Sequence, residues 1–309
     1  MTAQSRSWLR KHRSENYLRF TFILKALFIF VFVLLLYFSL SKNYWRSDSK
    51  MVLTVADIDG GVRVITLDPI SSQINDYLIP GSTEVEVSRG LGIWKLKSIW
   101  DLGVQEKIGG GELLTESLTK HANIPTFVYS QELGYGLLST NIKSIFRAVF
   151  FPYKTNLSLG DKLAIISFTF KVKNTKRIEV DLSKTSYLTK KSLMDGESGF
   201  AISNMPPQSL ILVFADSEIS QNFPKFVVND NSGIAGFSDR LSAILEVLGG
   251  KVLLVSKSKK DQTFCTIRSK KRSVSLYLSK LLRCKIGKEI VDGNFDVEIT
   301  IGEKFATEF

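Results

Sequence analysis

Apolar positions fall into three regimes along the chain. From Phe20 to Leu40 they run together in Phe, Leu, Ile and Val, broken by Lys25 and uncharged from Ala26 onward. At about 1.5 Å of helical rise per residue such a run crosses a hydrocarbon layer of ~30 Å, with Lys25 near enough to one end for its stem to reach the headgroups. From Met51 the pattern shortens into strand-like runs at Met51–Val55 and Val62–Leu67, another ending near Ile79, then Val85–Val87, Thr126–Ser130, Ile178–Leu182 and Leu210–Ala215. Among them stand helical segments. Glu112–His121 follows Gly109-Gly110-Gly111, Ile142 to Phe150 repeats at 3.6-residue spacing and stops at Pro152, and Ser158 with Asp161 caps a helix through Phe170. The stripes of the last two are expected to face a core. After residue 224 strands and amphipathic helices alternate closely. They are Phe226–Asn229, helix Phe237–Leu248, Lys251–Ser256, Thr263–Arg268, helix Val274–Cys284 and Phe295–Ile301, a small α/β sandwich.

Charge sets the direction of the apolar run. Arg6, Arg10, Lys11, Arg13 and Arg19 precede it against a single Glu15, which keeps this end in the cytoplasm and puts the bulk of the chain outside. No small-residue cleavage site follows Leu40; Tyr44 and Trp45 suit the outer interface instead, so the run reads as an uncleaved anchor. The chain carries a net +11, which in an extracytoplasmic protein points to anionic lipid or wall polymer rather than nucleic acid. Cys265 and Cys284 are the only cysteines and are open to either a bridge or two buried thiols. With His12 and His121 alone, a histidine metal site or triad has almost no material. Asp57-Ile58-Asp59-Gly60-Gly61 is a hairpin turn, lacking the downstream ligands of a calcium loop. Gly109-Gly110-Gly111 could cradle a phosphate at a helix start. Asn231 to Gly236 lacks a full dinucleotide fingerprint, and Lys270-Lys271-Arg272 forms a basic cluster.

Two segments carry a resemblance. Phe226 to Gly236 leading into a helix, then Gly249-Gly250-Lys251-Val252, then Ile299 to Phe305 with Gly302, resembles the LytR C-terminal domain. The preceding region is similar to the catalytic domain of LytR-CpsA-Psr (LCP) proteins. Val62–Pro69 matches its strand ending in Asp-Pro, and Ile79-Pro80-Gly81-Ser82-Thr83 lies where the family has Ile-Pro-Arg-Asp-Thr. Lys95 to Trp100 and Gly109 through Pro125 follow in order. The resemblance implies an α/β fold: one N-terminal transmembrane helix, an LCP-like α/β/α domain with a mixed sheet, then a small α/β domain. It divides the chain into a basic tail (1–19), the membrane helix (20–40), a tether (41–50), the LCP-like domain (51–216), a linker (217–224) and the LytR C-terminal domain (225–309).

The family transfers glycopolymer from a polyprenyl-pyrophosphate carrier to the cell wall, usually with a divalent metal. Here its pyrophosphate-gripping arginine falls on Gly81 and the adjoining aspartate on Ser82, while its later arginine pair falls where Lys171 and Lys173 are the basic residues. The segment upstream of Met51 is too short for the family's metal-binding acid. Phosphoryl transfer needs planar, permanently charged donors or a metal, and neither glycine nor lysine supplies the bidentate fork. The expectation is a membrane-anchored envelope protein that binds or scaffolds wall glycopolymer without catalysis, free of cofactor. The alternative is an active phosphotransferase using Mg or Mn, with anionic glycopolymer or lipid-linked pyrophosphate as partner. Thr83, Lys95 and Lys97 are the candidate phosphate contacts.

Overall fold

The computed structural model describes residues 22–30, 32–33, 45, 49–202, 207–221, 223–289 and 291–309, without the side chains of 209, 217 and 218. The tail 1–19 and most of the span 20–40 and tether 41–50 lie outside the described residues. Residues 22–30 and 32–33 are helical with exposed apolar side chains, and among the described residues no helix is long and apolar enough to cross a membrane.

The first sheet is mixed. β1 (Met51–Ala56), β2 (Val62–Asp68) and β3 (Gln73–Ile79) form an antiparallel meander, flanked by β6 (Val128–Gln131) parallel to β1 and β7 (Arg177–Asp181) parallel to β3. The strict alternation of its strands decides both faces. Val52, Val62, Val64, Tyr77 and Ile79 pack toward α1 (Leu96–Gln105) and α2 (Gly110–His121). Leu53, Val55, Ile65, Leu67 and Ile74 pack on the other side against Ala148 of α3 (Ile142–Phe150) and Ile165 and Phe168 of α4 (Leu159–Lys171). The result is an α/β/α sandwich. A second mixed sheet, β5-β4-β9-β8, covers α2 through Val85 and Val87 of β4 (Thr83–Val87). Its other strands are β5 (Gly92–Lys95), β8 (Leu188–Ser192) and β9 (Ser198–Ile202).

Four expectations change. Trp45 is buried against Phe168 instead of standing at an interface, and α4 buries Ile165 and Phe168 while Leu163 and Phe170 of its expected stripe are exposed. Leu210–Ala215 is not a strand but lies largely in helix α5 (Gln208–Phe214), opening after Pro207, whose fixed φ suits a helix start; Leu210 and Phe214 are buried one turn apart while Leu212 is exposed. Only one edge of the α3 stripe faces the core: Ala148 is buried and Val149 packs against it, but Ile142, Phe146 and Phe150 are exposed.

After the short α6 (Ser217–Ser220), the C-terminal sheet has the order β11-β10-β14-β12-β13. β10 (Lys225–Asn231) lies between β11 (Lys251–Lys257) and β14 (Val297–Gly302), parallel to both, and β12 (Cys265–Ser269) runs antiparallel to β14, with the short β13 (Lys285–Ile286) beyond it. Its core takes Leu241, Ile244 and Leu245 from α7 (Phe237–Val247) and Val274, Leu278 and Leu281 from α8 (Arg272–Leu282). The cysteines left open by sequence are bridged, with Cα atoms 5.0 Å apart across 19 positions. A loop of this size removes about 3 kcal/mol of denatured-state freedom in the chain-entropy account.

The two halves meet on a buried carboxylate. Glu116 of α2 accepts from Arg89 Nε at 3.0 Å and Nη2 at 2.9 Å, and Arg283, just past α8, reaches the same side chain at 2.6 Å. Phe127 and Tyr277 make a further contact between the halves, packed edge-on with 5.7 Å between centroids. A neutral amide cannot hold two guanidinium groups this way. Glu116→Gln is expected to lower the unfolding free energy by about 1–3 kcal/mol, measured by urea denaturation of the full chain in detergent, with the halves separating into two transitions.

Candidate functional site

A cleft of about 440 Å³ opens where β1 and β6 end side by side. The β1–β2 turn closes one wall, with Asp57 N–H donating to Gly61 at 2.9 Å and Gly60 N–H to Asp57 at 3.0 Å, as the hairpin reading requires. Lys97, Trp100 and Asp101 of α1 form a second wall, and Gln131, Glu132 and Tyr153 a third. A shallower groove of about 590 Å³ continues past Asp59, Trp94, Ser98 and Gln105.

The lining is acidic. Asp57, Asp101 and Glu132 face the cleft and Lys97 is its one basic residue among those described. Burial, with Asp57 and Asp59 nearby, pushes the Glu132 carboxyl above its ordinary range. The arginine next to the turn is already engaged: Arg63 contacts Asp57 at 3.3 Å, Asp76 at 2.7 Å and Glu179 at 3.0 Å, with its guanidinium over the Tyr135 ring. A linked pair of phosphates would meet carboxylates here, at a Coulomb cost that grows as water is excluded. Among the described residues no three His, Cys, Asp or Glu side chains are placed to share a metal ion.

The three candidate phosphate contacts do not converge. Thr83 opens β4 with its hydroxyl buried and without a hydrogen-bond partner. Lys95 turns to the β8–β9 hairpin, where Asp195 and Glu197, the latter at 2.6 Å, neutralise it. Lys97 alone lines the cleft. Lys171 and Lys173 are exposed at the end of α4 and beyond it, and neither lines the cleft. The glycine run before α2 serves packing: a Cβ on Gly111 would sit 2.0 Å from the Tyr129 ring, whose hydroxyl donates to Glu112 at 2.5 Å. Lys270 is held by Gly293 and Asp296. Asp101, Glu132 and Tyr153 were not legible as site residues, because they come from three separate segments with no shared motif.

Position 81 has little room for any side chain. A Cβ on Gly81 would lie 2.3 Å from the Gly60 carbonyl oxygen, and Lys97 N–H donates to the Gly81 carbonyl at 3.2 Å. Backbone fills the space through which a side chain would leave.

A second cavity, about 480 Å³, lies between the halves and is lined by Glu84, Glu86, Lys120, His121, Lys191 and Arg240 among others. Burial, with Lys120 and Arg240 close by, lowers the His121 imidazole to about 3, although Glu86 stands 3.1 Å from Nδ1. Burial and Arg240 likewise lower Lys120 to about 8.

No protein-family model matches the chain, and no curated protein matches it in sequence. Among solved structures it is similar to Bacillus subtilis TagT, at 14% identity over 52% of this chain and 88% of that one, TM-score 0.37. Listeria innocua Lin1025 is similar at 12% identity over 50% and 92%, TM-score 0.37. A LytR-CPS2A-psr family protein, YwtF (TagT), with bound octaprenyl pyrophosphate lipid, is similar at 12% identity over 53% and 88%, TM-score 0.37. The likeness concerns half of this chain and transfers no chemistry to it.

Two outcomes are expected. Gly81→Ala forces its methyl against the turn and lowers stability by about 1–3 kcal/mol in denaturant titration. Unfolded His121 takes a proton near 6.5 and the folded residue only near 3, so the unfolded state binds more protons in between and stability falls as pH drops. The fall approaches about 1.4 kcal/mol per pH unit below 6 and is absent from the difference curve of His121→Gln.

Proposed function

We propose that this is a single-pass envelope protein, with its N-terminus in the cytoplasm and its folded halves outside, that binds or scaffolds wall glycopolymer without turning it over. The anchor rests on the apolar run 20–40 and its basic flank. The polymer assignment rests on the residue-level resemblance to LCP proteins, and the loss of turnover on the chemistry of the cleft. One observation carries the reading. The cleft pairs aromatic rings, Trp94, Trp100 and Tyr153, with carboxylates and amides, Asp57, Asp101, Gln105, Gln131 and Glu132, and offers Lys97 as its one lining cation among the described residues. Such a lining suits the faces and hydroxyls of sugar rings and disfavours a pyrophosphate. Transfer of a glycopolymer phosphate would require cations on the bridging and leaving oxygens. Lys97 provides one, Lys95 is spent on Asp195 and Glu197, and Gly81 provides none.

The full chain, purified in detergent, is expected to retain wall glycopolymer in a pull-down. It is also expected to transfer none from a polyprenyl-pyrophosphate donor, with or without magnesium or manganese. Transfer that depends on Lys97 would overturn the reading; failure to retain polymer would remove the binding half of it.

A further inference from the structure

The exposed stripe of α3 has a charge pattern to match. Ile142, Phe146 and Phe150 recur every fourth residue and are 79%, 54% and 69% exposed. Phe151 extends them, and the Phe146 and Phe150 rings lie 4.8 Å apart. Leu163 and Phe170 of the adjoining α4 are exposed as well. Single exposed apolar residues are ordinary, but four large ones within a ten-residue segment are not. Between residues 139 and 178 the chain carries eight lysines and arginines and one acid, Asp161. Asp161 is buried, accepting the Trp45 N–H at 2.9 Å and capping α4 with Ser158. Among the described residues none of the eight cations lies within salt-bridge distance of a carboxylate. Lys162 and Arg177 are held by backbone carbonyls, while Lys143, Arg147 and Lys154 flank the stripe with no salt bridge among the described residues. An apolar stripe beside such cations is the signature of a helix lying in a membrane interface.

The path of the chain places this face. Trp45 is buried against Phe168 of α4, centroids 5.6 Å apart, and its indole N–H donates to Ser49 at 2.7 Å. The chain therefore enters the folded region on the α3–α4 side of the first sheet. Leu40, the last residue of the apolar run, is five Cα steps from Trp45, a reach of at most ~19 Å. With the run in a bilayer, the α3–α4 layer cannot stand far from that bilayer's surface.

We propose that the α3 face docks on the outer surface of an anionic bilayer. Ile142, Phe146, Phe150 and Phe151 sit at the headgroup–acyl boundary, and Lys143, Arg147 and Lys154 lie against lipid phosphates. The inference rests on the anchored reading above and adds a second, peripheral contact that fixes the orientation of the folded halves.

The test uses the full chain in phosphatidylcholine vesicles, with and without phosphatidylglycerol. A photoreactive benzoylphenylalanine replaces Phe150, or Lys257 on the exposed end of β11 as control. Carbonate extraction reports on the anchor separately. The expected result is a carbonate-resistant protein whose position 150, but not 257, crosslinks to lipid. The yield falls about tenfold when Lys143→Glu and Arg147→Glu are combined, or when phosphatidylglycerol is left out. A carbonate-resistant protein that crosslinks no lipid from 150, or crosslinks a second copy instead, overturns the docking face and leaves the anchor standing. Protein released by carbonate overturns both.

Discussion

The β1–β2 turn lies so close to Gly81 that no side chain can leave that position. An added Cβ would sit 2.3 Å from the Gly60 oxygen. This backbone approach shapes one wall of the cleft, brings Asp57 to its mouth and seats Lys97 by a hydrogen bond to Gly81. Interiors at crystal-like density do not yield to an extra side chain without moving backbone. The exchange of arginine for glycine that the resemblance implies is therefore more than a missing charge. The backbone around position 81 meets any side chain at its first carbon.

Charge is partitioned accordingly. Carboxylates gather at the cleft with one lining lysine, while residues 139–178 hold eight cations without a salt bridge among the described residues, Arg147 among them near enough to act on Glu132. Between the halves charge serves a third role, with Glu116 tying Arg89 to Arg283 in a partly dry interface. Arg283 adjoins Cys284, so the disulfide to β12 also holds the segment that carries this contact. The net +11 averages over these regions and describes none of them.

Much of the architecture could be read from residue patterns. The apolar runs marked the strands of the first sheet's meander, and the close α/β alternation after residue 224 marked most elements of the last. What failed did so for physical reasons. Leu210–Ala215 is apolar throughout, and such a run cannot separate strand from helix by periodicity; Pro207 and tertiary contacts decided it. The α3 stripe has a core helix's spacing, but spacing says nothing of what covers a face. β8 and β9 are short and partly exposed, so little apolar signal marks them. Of the candidate contacts, the sequence placed Lys95 and Lys97 two residues apart, and a strand–helix junction sends them to different neighbours. The cleft acids were invisible because topology, not a motif, assembles them.

The central claim, that the cleft cannot hold a pyrophosphate, is tested most directly by phosphorus NMR. A short-chain polyprenyl pyrophosphate would be titrated with the full chain in detergent, once with magnesium and once with chelator. The account predicts unchanged linewidths and shifts in both series. Saturable broadening that disappears in Lys97→Ala would contradict it.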